Sequence, residues 1–223
     1  MSKSVLKTNN LDIEKLKLRL QQELPGKSAH DKMMSRVKDM PGEMPKDAKP
    51  SAVLIVLFPV SGNWHVLYIQ RAKDGHAHSG QIGFPGGKQE PDDANLKATA
   101  LREAHEEVGI MSQDVEIIGQ LTSLYIPVSN FNVYPFVALA QKRPEYRLQT
   151  SEVAGIFEVP LAKLLHADTK NTVRVTSPID ASFIRDVPAY QLDDNAILWG
   201  ATAMITSELE AVLETIFTFD DLA

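Results

Sequence analysis

Three glutamates lie close together in one short segment, "LREAHEEVG" at residues 101–109. In a helix, Glu103, Glu106 and Glu107 would occupy positions i, i+3 and i+4 and share one face, where like charges oppose helix formation. No lysine follows any of them four residues later to relieve the repulsion. A chain tolerates such a face on a solvated surface, or uses it to hold a cation.

The segment just upstream favours a cation site. Residues 83–90 read "GFPGGKQE", and a glycine-rich loop that enters a helix lets backbone groups approach a ligand closely. Carboxylates beside such a loop are suited to hold Mg²⁺ between protein and phosphate oxygens, with Mn²⁺ as a substitute. The chain contains no cysteine, which excludes thiolate ligands and cysteine nucleophiles.

The composition excludes several classes of protein. The 223 residues include 23 Lys+Arg against 29 Asp+Glu, a net charge of −6, so the basic footprint of a nucleic-acid or acidic-membrane binder is missing. No apolar run follows the charges of "MSKSVLKTNN" at the N-terminus, which argues against a signal peptide. The longest apolar stretch, residues 52–60, is about half of a bilayer span. We therefore expect a cytoplasmic protein with no nucleic-acid or membrane partner.

The first 50 residues differ from the rest. An amphipathic pattern over 11–24 predicts a helix, and the proline-rich stretch 40–50 predicts a linker. We expect residues 1–50 to form an N-terminal helical extension and residues 51–223 to form the main domain. The leucines of the first helix are interpreted as packing positions, with a second subunit of a homodimer as one partner for them.

The remaining pattern mixes strands and helices. The expected strands are 51–60, 64–71, 114–123, 131–141, the beginning of 152–165, and parts of 171–192; the expected helices are 93–108, the end of 152–165, and 199–215. Asp92 or Asp93 is the expected N-cap of the helix 93–108, and Gly109 its C-terminal glycine. This order predicts helices packed on a mixed sheet, either α+β or a three-layer α/β/α sandwich.

A helical wheel places the glutamates relative to the apolar residues of the acidic helix. Its apolar stripe consists of Ala94, Ala98, Leu101, Ala104 and Val108, and the three glutamates fall on the opposite side. We therefore expect the carboxylates to point outward from a helix anchored by small residues. His105 falls near the stripe, which predicts a packed histidine and not a metal ligand.

Residues 86–110 resemble the Nudix box, G-x5-E-x7-R-E-U-x-E-E-x-G-U with U a bulky aliphatic residue. The matching positions are Gly87, Arg102, Glu103, Glu106, Glu107, Gly109 and Ile110. The interval from Gly87 to Arg102 is one residue too long, so the first glutamate of the box has no exact counterpart. Asp93 is the nearest candidate counting forward. Ala104 replaces the usual aliphatic residue. The resemblance implies the Nudix α/β/α sandwich with a mixed sheet, and hydrolysis of a substituted nucleoside diphosphate.

A second segment narrows the resemblance to one branch. The pattern R-A-x3-H-x3-G-x3-F-P-G-G, from Arg71 to Gly87, is similar to that of the coenzyme A diphosphatases, although His76 stands where that branch typically has arginine. Residues 152–161 and 197–205 resemble the same branch. The implied reaction is hydrolysis of coenzyme A or its acyl derivatives to 3′,5′-ADP and 4′-phosphopantetheine. Hydrolysis of ADP-ribose or another nucleoside diphosphate derivative is an alternative, and a non-catalytic Nudix-like binding module is another.

The resemblance also implies a catalytic set. Glu103, Glu106 and Glu107 would be metal ligands, with the carbonyl of Gly87 as a further ligand. Arg102 would orient Glu103, and one of the three carboxylates would serve as the base.

The resemblance extends to the substrate-binding residues, which are expected to be Arg71, His76, Gly86, Gly87 and Lys88. Glu152 lies where Nudix proteins often place an additional acid, and capping or solvation would explain it equally well. Trp64 and Trp199 are interpreted as core aromatics.

Overall fold

The computed structural model describes residues 11–34, 44–73, 78–176, 184–193 and 196–216. Within these residues, the strands form a mixed eight-stranded sheet and a separate three-stranded sheet. Helices cover both faces of the larger sheet. This arrangement confirms the prediction of an α/β sandwich with a mixed sheet and an N-terminal helix.

The element bounds agree broadly with the sequence pattern. The helices are α1 (Ile13–Leu20), α2 (Lys27–His30), α3 (Leu96–Val108), α4 (Leu161–Leu164) and α5 (Gly200–Glu214). The strands are β1 (Lys49–Val60), β2 (Asn63–Arg71), β3 (Ile82–Gly83), β4 (Gly86–Lys88), β5 (Val115–Gln120), β6 (Leu124–Ile126), β7 (Phe131–Ala140), β8 (Val153–Pro160), β9 (Lys170–Thr176), β10 (Ile184–Gln191) and β11 (Ile197–Trp199).

Strand β1 is the centre of the larger sheet. It pairs in parallel with β7 and antiparallel with β2, and the short strand β4 joins its N-terminal half. Leu54 and Val56 pack on the α3 side, whereas Ile55 and Leu57 pack on the α5 side. A strand that is buried on both faces needs apolar residues at successive positions, which explains the continuous apolar run in the sequence.

Helix α3 approaches the sheet through small side chains. Ala100, Ala104 and Val108 are fully buried against the face of the sheet that carries Leu54 and Val56. Their small size lets the helix lie close to β4. The helix begins later than predicted, because Asn95 and not Asp92 or Asp93 is its N-cap; the Asn95 side chain accepts a hydrogen bond from the Ala98 N–H at 3.1 Å. Gly109 ends the helix as predicted, with φ at 78°.

The N-terminal helices pack beside α5, on the face of the larger sheet opposite to α3. Leu16 and Leu20 of α1 belong to the same core cluster as Leu209 of α5, so the leucine stripe packs against this chain. The division into an extension (1–50) and a domain (51–223) stays a prediction. No helix in the described part of the chain is long and apolar enough to cross a membrane.

Candidate active site

Two of the three glutamates point inward, contrary to the helical wheel. The side chain of Glu107 is 1% exposed and that of Glu103 is 14% exposed, whereas Glu106 is 54% exposed. The wheel placed all three on the outside because it could not show that β4 lies alongside α3. The prediction that His105 is packed was also wrong, since its side chain is exposed; that it is not a metal ligand stays a prediction. The buried stripe of α3 is rotated toward Ala100 and Glu107.

Glu107 is held beside the glycine strand. Its Oε2 accepts a hydrogen bond from the Gly86 N–H at 2.8 Å, and its Oε1 lies 3.4 Å from Nη1 of Arg71. The pKa of Glu107 is raised to about 7, mainly by burial and to a smaller extent by the charges of Glu103 and Glu152, against the opposing effect of Arg71 and of the hydrogen bond from Gly86. The carboxylate therefore retains a proton close to neutral pH unless a cation compensates its charge.

Both glycines of β4 lie where a side chain would not fit. A side chain at Gly86, where φ is 156°, would collide with the backbone of Ala52 and Val53. A Cβ at Gly87 would lie 2.5 Å from Oε1 of Glu103. Glu103 is thus packed directly over the glycine backbone, and burial raises the pKa of its carboxyl group, against the opposing effect of Arg102.

Arg102 contacts three carboxylates of the site. Its Nε and Nη2 each donate to one carboxylate oxygen of Asp93 at 3.0 Å, and its Nη1 donates to Glu106 at 2.8 Å. The same Nη1 lies 3.0 Å from Oε1 of Glu103. The hydrogen bonds from Arg102 lower the pKa of Asp93 to about 2. Asp93 is therefore the acid that faces Arg102 from the lengthened loop, despite the one-residue shift in the box.

A cleft of about 480 Å³ opens beside the glycine strand. Arg71, Gly86, Gly87 and Lys88, four of the predicted substrate-binding residues, lie in its wall. His76, the fifth, lies outside the described residues. The structure therefore brings the predicted substrate-binding and catalytic residues to one place, with the glycine strand between them.

Most of the cleft wall is apolar and comes from distant parts of the chain. Phe84, Phe131 and Trp199 contribute aromatic rings, although Trp199 was predicted to be a core residue. Arg185 lies 5.8 Å from the centre of the Trp199 ring. Local sequence offers no signal that Phe131 and Trp199 join this wall, because β7 and β11 meet the glycine loop only in the folded chain.

Glu152 borders the site. It is exposed at the start of β8, and its carbonyl accepts a hydrogen bond from the Ala72 N–H at 2.7 Å. Its charge raises the pKa of both Glu103 and Glu107. Its role as an additional acid stays a prediction.

The donors present suit a hard cation. Among the described residues, no three His, Asp or Glu side chains are already gathered as a metal-binding group, since Glu106 turns toward Arg102. Glu107 nevertheless places a buried carboxylate, and Glu103 a half-buried one, beside the Gly86–Gly87 backbone, and oxygen donors of this kind fit Mg²⁺ or Mn²⁺. The raised pKa values of both carboxyl groups show that their ionised forms are disfavoured in the folded protein, and a bound cation would stabilise those ionised forms.

The comparison with protein families agrees with this site. A model described as "NUDIX domain" matches residues 48–178, more than half of the chain. The protein therefore belongs to the Nudix family, and it is a Nudix hydrolase that acts on a nucleoside diphosphate derivative. Members of this family generally use divalent metal ions.

Individual relatives support the same assignment. The "Uncharacterized Nudix hydrolase NudL" of Yersinia pestis (strain Pestoides F) is 36% identical over 144 residues, which cover 65% of this chain and 70% of that protein. The protein of the same name from Yersinia pseudotuberculosis serotype O:1b (strain IP 31758) matches equally well.

Two solved structures share the fold at low sequence identity. The Nudix hydrolase RenU from M. smegmatis has a TM-score of 0.52 and 17% identity, and the match covers 77% of this chain and 89% of RenU. A MutT/nudix family protein from Enterococcus faecalis has a TM-score of 0.51 and 16% identity, over 91% of this chain and 74% of the other.

Proposed function

We propose that this Nudix hydrolase cleaves the diphosphate bond of coenzyme A or its acyl derivatives, releasing 3′,5′-ADP and 4′-phosphopantetheine or its acyl form. One observation carries the proposal. Eight residues of the segment from Arg71 to Gly87, whose pattern is similar to that of coenzyme A diphosphatases, line the cleft beside Glu103 and Glu107.

The charges of the cleft suit a diphosphate. Arg71 and Lys88 are cations in its wall, and the Arg71 side chain is 35% exposed while it contacts Glu107. An anionic diphosphate between them would be attracted by both side chains and could approach the glycine backbone without steric hindrance. The apolar remainder of the cleft is large enough for the organic groups that a diphosphate carries, because ligand pockets commonly measure about 300–1,000 Å³.

The chain's own residues would organise the reaction. Mg²⁺, or Mn²⁺ in its place, would be held by Glu103, Glu107 and the Gly87 carbonyl with Glu106 in support, and would supply charge neutralisation and a more acidic water. Arg102, fixed by Asp93, holds Glu103 and Glu106 in position. One of the carboxylates would take the proton of the attacking water, and the raised pKa values of Glu103 and Glu107 suit both to that task.

Product analysis tests the proposal. The protein is incubated with coenzyme A and Mg²⁺, beside ADP-ribose and diadenosine polyphosphates, and the products are separated by chromatography. We expect release of 3′,5′-ADP from coenzyme A, with little product from the other two. Glu103→Gln and Glu107→Gln should abolish the release, whereas Glu145→Gln, an exposed glutamate outside the site, should not.

The other outcomes assign the protein differently. Hydrolysis of ADP-ribose or the dinucleotide alone would keep the Nudix chemistry and refute the coenzyme A assignment; His76, in place of arginine, is the residue that favours this alternative. No hydrolysis with Mg²⁺ or Mn²⁺ would favour a binding module.

The homodimer and the cytoplasmic location remain predictions. Three leucines of the N-terminal stripe, Leu11, Leu16 and Leu20, are buried within this chain, and Leu18 is 59% exposed. Light scattering during gel filtration would establish the oligomeric state.

A further inference from the structure

Two polar atoms in the cleft wall lack partners. Among the side chains of the described residues, His78 Nε2 and Ser129 Oγ are the buried nitrogen and oxygen atoms with no hydrogen bond. Both residues line the cleft, although His78 follows β2 and Ser129 lies between β6 and β7. A buried polar atom without a partner destabilises a fold. Since both occur in one cleft, a ligand is the simplest partner for them.

The other contacts of His78 define what its free nitrogen can do. Its Nδ1 lies 3.1 Å from Oε1 of Gln81, and its carbonyl accepts a hydrogen bond from the Gln81 N–H at 3.1 Å. An amide oxygen only accepts hydrogen bonds, so Nδ1 carries the proton in the neutral imidazole. Nε2 is then an acceptor that requires an N–H or O–H donor.

The backbone at His78 is also unusual. Its φ is 69°, in the left-handed region that costs free energy for a residue other than glycine. The turn holds the ring in the cleft wall in spite of this cost. Strain of this kind, combined with an unpartnered buried atom, is typical of a residue that contacts a ligand.

The cleft wall to which His78 and Ser129 belong is largely apolar. Ile82, Ile126 and Phe131 share the cleft wall with them, whereas the cations Arg71 and Lys88 adjoin the glycine strand. A ligand that fills the cleft therefore has an anionic part and an apolar part that carries hydrogen-bonding groups.

We propose that His78 Nε2 and Ser129 Oγ bind the organic part of the substrate, with His78 accepting a hydrogen bond from an N–H or O–H group, and that both thereby determine specificity. This inference rests on the proposed function, since coenzyme A offers such donors in both of its halves. The nucleotide half carries the amino group of the purine and a ribose hydroxyl, and the pantetheine arm carries two amides and a hydroxyl group.

Kinetics of four variants and their controls test this role. His78→Leu and Ser129→Ala remove the hydrogen-bonding atoms, and His78→Gln restores a polar group near the position of Nε2. We expect KM for coenzyme A to rise about tenfold in His78→Leu and severalfold in Ser129→Ala, with kcat changed less than about twofold, because a binding contact is lost. The double variant should combine both effects, and His78→Gln should recover part of the affinity.

Thermal unfolding separates binding from a structural role. Ser129 Oγ has no partner among the described residues, so Ser129→Ala should leave Tm unchanged or raise it, whereas His78→Leu also removes the contact between Nδ1 and Gln81 and should lower Tm slightly. His166→Leu and Ser112→Ala, at positions outside the cleft wall, are the matched controls. Calorimetry with 3′,5′-ADP and with 4′-phosphopantetheine identifies which half of coenzyme A supplies the donor, because only the product that carries it should bind more weakly to His78→Leu.

The outcomes distinguish this inference from the proposed function. Hydrolysis of coenzyme A with unchanged KM in every variant would overturn the inference and leave the function intact. A raised KM for ADP-ribose, in a protein that does not cleave coenzyme A, would support the inference and refute the coenzyme A assignment. A raised KM accompanied by a lower Tm in Ser129→Ala would also overturn the inference, as would wild-type protein that cleaves neither substrate and binds neither product.

Discussion

Replacing Glu107 with glutamine should stabilise the metal-free protein, and do so more strongly at higher pH. Burial raises the pKa of this carboxyl group from 4.5 to about 7. Between these values the folded protein binds a proton that the unfolded chain has released. The stabilisation from this proton is complete below pH 4.5 and is lost as the pH rises through 7. The variant carries no such group, so its stability relative to wild type should increase with pH.

The size of the effect follows from the shift in pKa. Each pKa unit corresponds to 1.36 kcal/mol, so the advantage of Glu107→Gln should grow by about 2.5 kcal/mol between pH 5 and pH 8. For a chain of this length, that difference corresponds to a Tm change of about 5–10 °C. The amide oxygen of glutamine can still accept the hydrogen bond from the Gly86 N–H, so the loop should remain in place.

Urea unfolding in EDTA at several pH values measures this difference. Glu106→Gln, which changes a half-exposed carboxylate on the same helix, is the control for the loss of a carboxylate from α3. Added Mg²⁺ at pH 8 should stabilise wild type and reduce the advantage of Glu107→Gln, since the bound cation compensates the ionised carboxylate. A stability difference that stays flat or falls between pH 5 and pH 8 would refute the reasoning.

Three further substitutions test contacts within the site and between α5 and the N-terminal segment. Asp93→Asn should lower the free energy of unfolding at pH 7 by about 1–2 kcal/mol and reduce kcat, because it breaks the ionised pair with Arg102. Arg102 lowers the pKa of Asp93 to about 2, so this pair stabilises the folded state until the pH falls through that value. Gly87→Ala should reduce kcat by at least about tenfold with a smaller loss of stability, because the new Cβ would displace Glu103. Glu208→Gln should lower the free energy of unfolding by about 3 kcal/mol, since hydrogen bonds to this buried carboxylate join α5 to the N-terminal segment.

Each of these predictions has a matched control. Asp92→Asn and Glu214→Gln alter exposed carboxylates, and Gly155→Ala adds a Cβ that meets nothing within 4 Å. Urea unfolding and steady-state kinetics apply to all six variants. Equal effects in a variant and its control would contradict the role assigned to the first residue of the pair.

Much of the site could be predicted from local sequence. The glycines Gly86 and Gly87 and the glutamates of α3 are close in the chain, so their proximity depends on short-range geometry. The pattern of apolar residues likewise indicated most strands and helices, because a strand buried on both faces gives a continuous apolar run, whereas an amphipathic helix repeats its apolar positions every three to four residues. The strand β6, only three residues long, gave too short a pattern to recognise.

The sequence by itself determined the chemistry that is available: carboxylates, a close glycine backbone and nearby cations, without thiols. Only the tertiary structure decided which carboxylates are buried, that Asp93 faces Arg102, and that His78, Ser129 and Trp199 line one cleft. The physical reason is that a helical wheel orders side chains around one axis but contains no information about neighbouring elements. Burial and pKa depend on those neighbours, and the strand and turns that supply them join the site only when the sheet forms.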